Sequence, residues 1–239
     1  MPDNLLIPSV DLRIGSLEEY NRRQKEKATL QHRKPKPRPC ITISREFGCE
    51  GYPVAERLRE FMMQKTGDEW VLIDKAVLEE VARRHNVSEE ILQTLGENNQ
   101  ILNEVLATFS PRWKSDQEYF KLLSRHIVAL AEQGNVIIVD LCGAIITRHI
   151  EHSYHFRIYG SVAFKAATLA QRLDLTIEEA EKTMYRQQRV RDRFNKTFLD
   201  HNGHDPGLYH ILFNNDYITP GEMAHTITDF VCARHGEQR

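Results

Sequence analysis

Apolar positions in this chain fall into short saturated runs separated by longer stretches of helical spacing. Cys40-Ile41-Thr42-Ile43 is the first such run, followed by Gly48 and Gly51. Val54, Leu58, Phe61 and Met62 then share one helical face. Pro53 suits the first helical position, where a missing N–H costs nothing. Trp70 to Asp74 reads as a buried strand, and Val77, Leu78, Val81 and Ala82 as the next helix. Residues 87–109 are polar and helical in character. Ser115 with Glu118 forms a capping box before a helix carrying Leu122, Leu123, Ile127 and Leu130, which Gly134-Asn135 ends. Val136 to Asp140 is apolar up to its last residue, as a strand covered on both faces should be. His155 to Tyr159 predicts another strand, Val162 to Leu173 a helix, and Tyr209 to Asn214 a last strand. Thr176 with Glu179 opens a long charged helix toward Arg193, and Thr219, Pro220 and Glu222 cap the final one. Five apolar strands alternating with helices predict an α/β fold with a parallel sheet.

Composition changes this picture little. At 239 residues there is room for one sizeable domain with an appendage. A net charge of −2 argues against nucleic-acid binding over the whole surface. Cys40, Cys49, Cys142 and Cys232 form no C-x-x-C pair, so neither a zinc site nor a disulfide framework is indicated. No apolar run has the length of a membrane span, and the first residues lack the plan of a secretory signal. The expectation is a reduced, cytoplasmic protein with no membrane contact.

Charge does single out the N-terminus. Arg22, Arg23, Lys25, Lys27, Arg33, Lys34, Lys36 and Arg38 are opposed only by Glu26, and prolines 35, 37 and 39 favour an extended linker. Residues 1–39 therefore read as a basic, Pro-rich extension, with a short helix over Ser16 to Leu30, preceding a domain of residues 40–239. A solvated segment is the simplest account; an arm for a protein or nucleic-acid partner is the alternative.

The candidate chemistry gathers at strand ends. A strand, a glycine turn and a helix N-terminus, as in residues 40–53, make an anion site from backbone amides and the helix dipole. Ligands of parallel sheets bind beyond the carboxyl ends of the strands, where Ser44, Arg45, Asp74 and Asp140 lie. Asp140 reads either as a Walker-B-type ligand for Mg²⁺ or as a cap on the following turn. His201, His204 and His210 lack a firm ligand spacing. Cys49, at a helix start, is either an activated thiol or a small residue in a turn.

The run Ile41-Thr42-Ile43-Ser44-Arg45-Glu46-Phe47-Gly48, the Ile73-Asp74-Lys75 step, and Asp205-Pro206-Gly207-Leu208-Tyr209 before a strand ending in Asn214 resemble the cytidylate kinase-like family. The resemblance spans about Cys40 to Cys232. It implies a P-loop NTPase-type five-stranded parallel sheet flanked by helices, with a helical insertion for the nucleoside monophosphate and an arginine-rich lid. It also implies ATP- and Mg²⁺-dependent phosphoryl transfer to CMP or a related small acceptor. On that reading Arg45, Arg189 and Arg193 are catalytic. Ser44, Arg45, Gly48, Cys49, Gly51 and Arg186 hold the donor nucleotide, Asp74 faces the acceptor, and Asp140 holds Mg²⁺. Arg186, Arg189 and Arg193 share one helical face and converge on phosphate, unless the helix is simply solvated.

Two departures touch phosphate. Where the family's loop continues Gly-Ser-Gly-Gly-Arg, this chain has Gly48-Cys49-Glu50-Gly51-Tyr52, lacking the Walker lysine and hydroxyl as well. Glu50 beside a triphosphate costs on the order of a few kcal/mol if desolvated. A Gly-Arg pair after the third strand is replaced by Asp140-Leu141. Phosphoryl transfer depends on positioned positive charge. The alternative to a kinase is therefore a catalytically inactive, kinase-like binding or regulatory module.

Overall fold

Strands β1 (Cys40–Arg45), β2 (Val71–Ile73), β3 (Val136–Val139), β4 (Ser153–Tyr159) and β5 (Ile211–Asn214) form one parallel sheet in the order β2-β3-β1-β4-β5. This is the five-stranded parallel α/β architecture that the alternating pattern predicts. The structure, a computed structural model, describes residues 8–30, 37–83, 114–140, 142–199 and 202–237. The helical reading of residues 87–109 and the side chains of Lys25, Glu26, Lys27, Arg33, Lys34, Lys36, Ser115, Glu118, Leu141 and His201 lie outside the described residues.

Among the described residues the helices are α1 (Val10–Leu30), α2 (Gly51–Thr66), α3 (Lys75–Arg83), α4 (Lys114–Gln133), α5 (Gly143–Ile146), α6 (Val162–Leu173), α7 (Ile177–Leu199) and α8 (Pro220–Glu237). Among the described residues none is long and apolar enough to cross a membrane. Alternation along the strands divides the core. Ile41, Ile43, Ile137 and Phe156 pack with α2 and α8, whereas Val136, Ile138 and Ile73 pack with α1, α3 and α4. Both faces are thus covered, which is why β2 and β3 are apolar at every position. Pro53 takes the third position of α2 rather than the first, because the helix already begins at Gly51.

The N-terminal helix corrects the expectation of a solvated segment. Ile14, Leu17 and Tyr20, at helical spacing, are all buried in the same core as Val77, Leu78 and Val81. The Tyr20 hydroxyl donates to the carbonyl of Gly134 at 2.5 Å. Arg23 pairs with Glu69, so part of the basic charge is met by the domain itself.

One polar column crosses the core. Thr42 and His155 are register partners on β1 and β4, and Thr42 Oγ1 lies 2.9 Å from His155 Nδ1. Burial, with His210 adding to it, holds the His155 pKa down at about 3. Burial lowers His126, His152 and His210 as well. Below the ordinary value of 6.5 the unfolded chain takes up a proton that folded His155 refuses. Stability therefore falls by about 1.4 kcal/mol per pH unit for this group between roughly pH 6.5 and 3. Urea titrations at pH 7.5 and pH 5 should show a loss of about 2 kcal/mol from His155 alone. His155→Gln should flatten that slope; an unchanged slope would assign the acid sensitivity elsewhere.

Candidate functional site

The loop Glu46–Glu50 joins the end of β1 to α2. Gly48 has φ +102°, and a Cβ there would lie 2.8 Å from Lys165 Cβ on α6, so only glycine fits. At Gly51 a Cβ would stand 2.2 Å from Arg45 Cδ, because the Arg45 side chain lies across the loop. Three amides of the loop are engaged within the chain. Phe47 N–H donates to Gln188 Oε1 (2.9 Å), Cys49 N–H to the Glu46 carbonyl (3.1 Å) and Glu50 N–H to Asn215 Oδ1 (2.9 Å).

The acidic side chains of the loop are held by cations. Glu50 sits 3.4 Å from Arg172 and accepts from Asn215 Nδ2 at 3.3 Å. Glu46 pairs with Lys165 at 2.5 Å and with Arg157 at 3.7 Å. Cys49 is buried, and burial, with Glu46 adding to it, pushes its thiol up to about 12. It stays protonated, the small residue in a turn rather than the activated thiol.

Asp140, in the left-handed region at φ +63°, follows β3. Its carboxylate forms an ion pair with Arg45, accepts the Arg45 N–H at 3.3 Å and lies 3.3 Å from Arg191. Arg191 also donates to the Arg45 carbonyl (3.2 Å) and stands over the Phe47 ring (5.2 Å). Helix α7 is therefore docked on the loop, with Ala180 and Met184 buried beside Phe47. This fixes its phase. Gln188 and Arg191 continue the inward face, whereas Arg186, Arg189 and Arg193 are exposed and Arg189 Nε bonds back to Tyr185 O. The expected convergence of residues 186, 189 and 193 is thus not what α7 presents to the loop.

A cleft of about 360 Å³ opens at the carboxyl ends of β1, β2 and β3. Ser44, Arg45, Asp74, Asp140, Arg157 and Arg191 line it. Ser44, Arg45, Asp74 and Asp140 are so brought together, while Gly48, Cys49 and Gly51 stay in the loop beside it. Asp74 pairs with Arg13 at 2.5 Å and caps α3 by accepting the Val77 N–H at 3.0 Å. Sequence reasoning missed Arg157, which is 6% exposed, donates to the Gly203 carbonyl at 2.7 Å and sits over the Tyr209 ring. It also missed Asn215 and Gln188. The apolar pair Ala180 and Met184 is the signal that would have phased α7 and found Gln188; nothing in the local sequence marks Arg157 or Asn215. His204 pairs with Asp192 at 3.1 Å, and His210 packs against Phe230 and Tyr154.

These residues do not fit a Mg²⁺-triphosphate. Three loop amides are already bonded, Glu50 places a carboxylate among them, and the Asp140 carboxylate is taken by two guanidinium groups. Among the described residues no group of three or more acidic, histidine or cysteine side chains is placed to hold a metal ion.

A model of the cytidylate kinase-like family matches residues 40–217. No curated protein matches the chain. The crystal structure of an uncharacterized protein from Eubacterium ventriosum is similar at TM-score 0.59 and 20% identity, over 84% of this chain and 99% of that one. Shikimate kinase from Bacteroides thetaiotaomicron is similar at TM-score 0.42 and 12% identity, over 83% and 98%.

Proposed function

Because the chain belongs to the cytidylate kinase-like family, we propose that it binds a nucleoside monophosphate, CMP or a close relative, in the cleft at the ends of β1, β2 and β3. Family membership implies use of ATP and Mg²⁺ in general; for this chain we propose that transfer from ATP is slow or lost. The observation that carries this reading is the loop, whose Phe47, Cys49 and Glu50 amides are spent inside the protein with an acidic side chain between them.

The acceptor side is better provided. Arg45 and Arg191 meet at Asp140, with Arg157 on the same cleft wall. A phosphate dianion is the natural competitor for two guanidinium groups held by one carboxylate, since fork-shaped donors match phosphate and carboxylate alike. Binding in this scheme exchanges Asp140 for the ligand phosphate. Asp140 and its flanking arginines serve as the phosphate site rather than the metal site.

Two measurements test this. CMP at a hundred times its Kd should stabilise the protein by about 2.7 kcal/mol, visible as a raised melting temperature. With ATP and Mg²⁺ present, a coupled assay should find turnover well below about 1 s⁻¹, the lower end for competent enzymes. Turnover of order 10 s⁻¹ would sink the claim of a spent donor loop. A melting temperature indifferent to millimolar CMP would sink the nucleotide itself.

A further inference from the structure

Helix α1 lies outside the span that matches the family, yet one of its side chains contacts two residues of the cleft wall from behind. The Arg13 side chain, only 11% exposed, pairs with Asp74 and stands 5.9 Å over the ring of Tyr52. Both of those residues line the cleft. By the family resemblance, Tyr52 stands where the loop would carry a cation. The positive charge missing from α2 is therefore present a few ångströms away, delivered by a different helix.

We infer that Arg13 is a positioning residue of the ligand site, neutralising Asp74 and fixing Tyr52 so that the cleft can accept an anion. The inference rests on the proposed binding of a phosphorylated ligand in this cleft. Its physical content is charge. With Arg13 in place the Asp74 carboxylate faces a cation across a short gap. Without it, an unpaired carboxylate stands in the wall that a phosphate dianion must approach. Tyr52 supplies an aromatic face on which the guanidinium is held in one orientation. The N-terminal helix, on this view, is a working part of the site as well as of the core.

The test uses the full-length protein, with CMP and the uncharged nucleoside cytidine as probes. Arg13→Met keeps an unbranched side chain beside Tyr52 and removes the charge. It should weaken CMP about tenfold while changing cytidine by less than about twofold. Adding Asp74→Asn, which still caps α3, should bring CMP back to within about threefold of wild type. Arg13→Lys should retain most of the CMP affinity. Equal losses for CMP and cytidine, or no recovery in the double variant, would reduce Arg13 to a packing residue and overturn the inference. Should Arg13→Met not fold, Asp74→Asn alone decides: CMP should bind severalfold more tightly, and unchanged affinity refutes the role. Wild-type protein that binds pyrophosphate but not CMP would overturn the nucleotide reading alone, and the same variants would then be judged on pyrophosphate. Wild-type protein that binds neither overturns both.

Discussion

Removing residues 1–38 should leave a chain that cannot hold its tertiary structure. The deletion strips Ile14, Leu17 and Tyr20 from a core in which all three are buried. Each such side chain contributes about 1.5–3 kcal/mol by burial, so the sum is roughly 6 kcal/mol before any hydrogen bond is counted. That is comparable to the whole stability of an ordinary domain, about 5–15 kcal/mol. It also exposes the apolar faces of Val77, Leu78 and Val81 on α3, which α1 covers. The truncated chain should come out insoluble, or compact with far-ultraviolet but no near-ultraviolet dichroism and with bound dye. The single variant Leu17→Ala should cost about 2–5 kcal/mol in urea unfolding of the full chain. A truncated protein with the wild-type urea midpoint would show that α1 is dispensable.

That expectation reverses what the basic composition of the segment suggests, and the reason is instructive. Val10, Ile14, Leu17 and Tyr20 recur at helical spacing, so the buried stripe was legible. It is masked by arginines and lysines further along the same helix, which dominate any count of charge. The strands were read more securely because a doubly covered parallel strand needs apolar residues at every position, as in Val136–Val139. Glu50 and Tyr52 were legible as departures because they break a contiguous motif. The ion pairs were not. Arg45 meets Asp140 across 95 residues and Arg13 meets Asp74 across 61, through crossovers that place strand ends side by side. Spacing along the chain carries no trace of such partners. Helix α7 is an intermediate case. Its charge pattern allows any face, and only the apolar positions Ala180 and Met184 say which one is turned inward.

Glu50→Gly and Tyr52→Arg look in the sequence like two halves of one repair, and they should have opposite outcomes. Glu50 stands at the N-cap position of α2 with φ −86° and ψ 43° and makes no side-chain capping bond, so glycine is not needed there for backbone freedom. The change acts through charge. Removing the carboxylate releases Arg172, at 3.4 Å from Glu50, and one of the two bonds of Asn215 Nδ2, which also donates to the Ile218 carbonyl. Both groups can then donate to an anion at the loop. ATP should bind about tenfold more tightly, about 1.4 kcal/mol, a modest value for a charge-assisted contact. The gain should shrink as salt is raised, since part of it is screened. Unchanged ATP affinity in a folded Glu50→Gly protein would mean that this loop does not face phosphate at all. Tyr52→Arg meets different surroundings. The tyrosine is 9% exposed and lies under the guanidinium of Arg13. An arginine there sets one cation against another; of the two carboxylates that act on this position, Asp74 is already paired and Glu56, one turn on in α2, lies among Arg57 and Arg59. Loss of a buried aromatic ring alone costs about 3–5 kcal/mol in the extreme case of alanine; repulsion from Arg13 and desolvation of the new charge offset the packing that the arginine stem recovers. Tyr52→Arg should therefore lower stability by at least about 3 kcal/mol in urea unfolding. The double variant should inherit that instability rather than combine two gains. Recovery is expected when Arg13 is also removed, because Asp74 and Glu56 then face a single cation, the new arginine. If Tyr52→Arg proves as stable as wild type, Arg13 does not hold the position over this ring, and the link between α1 and the cleft is broken.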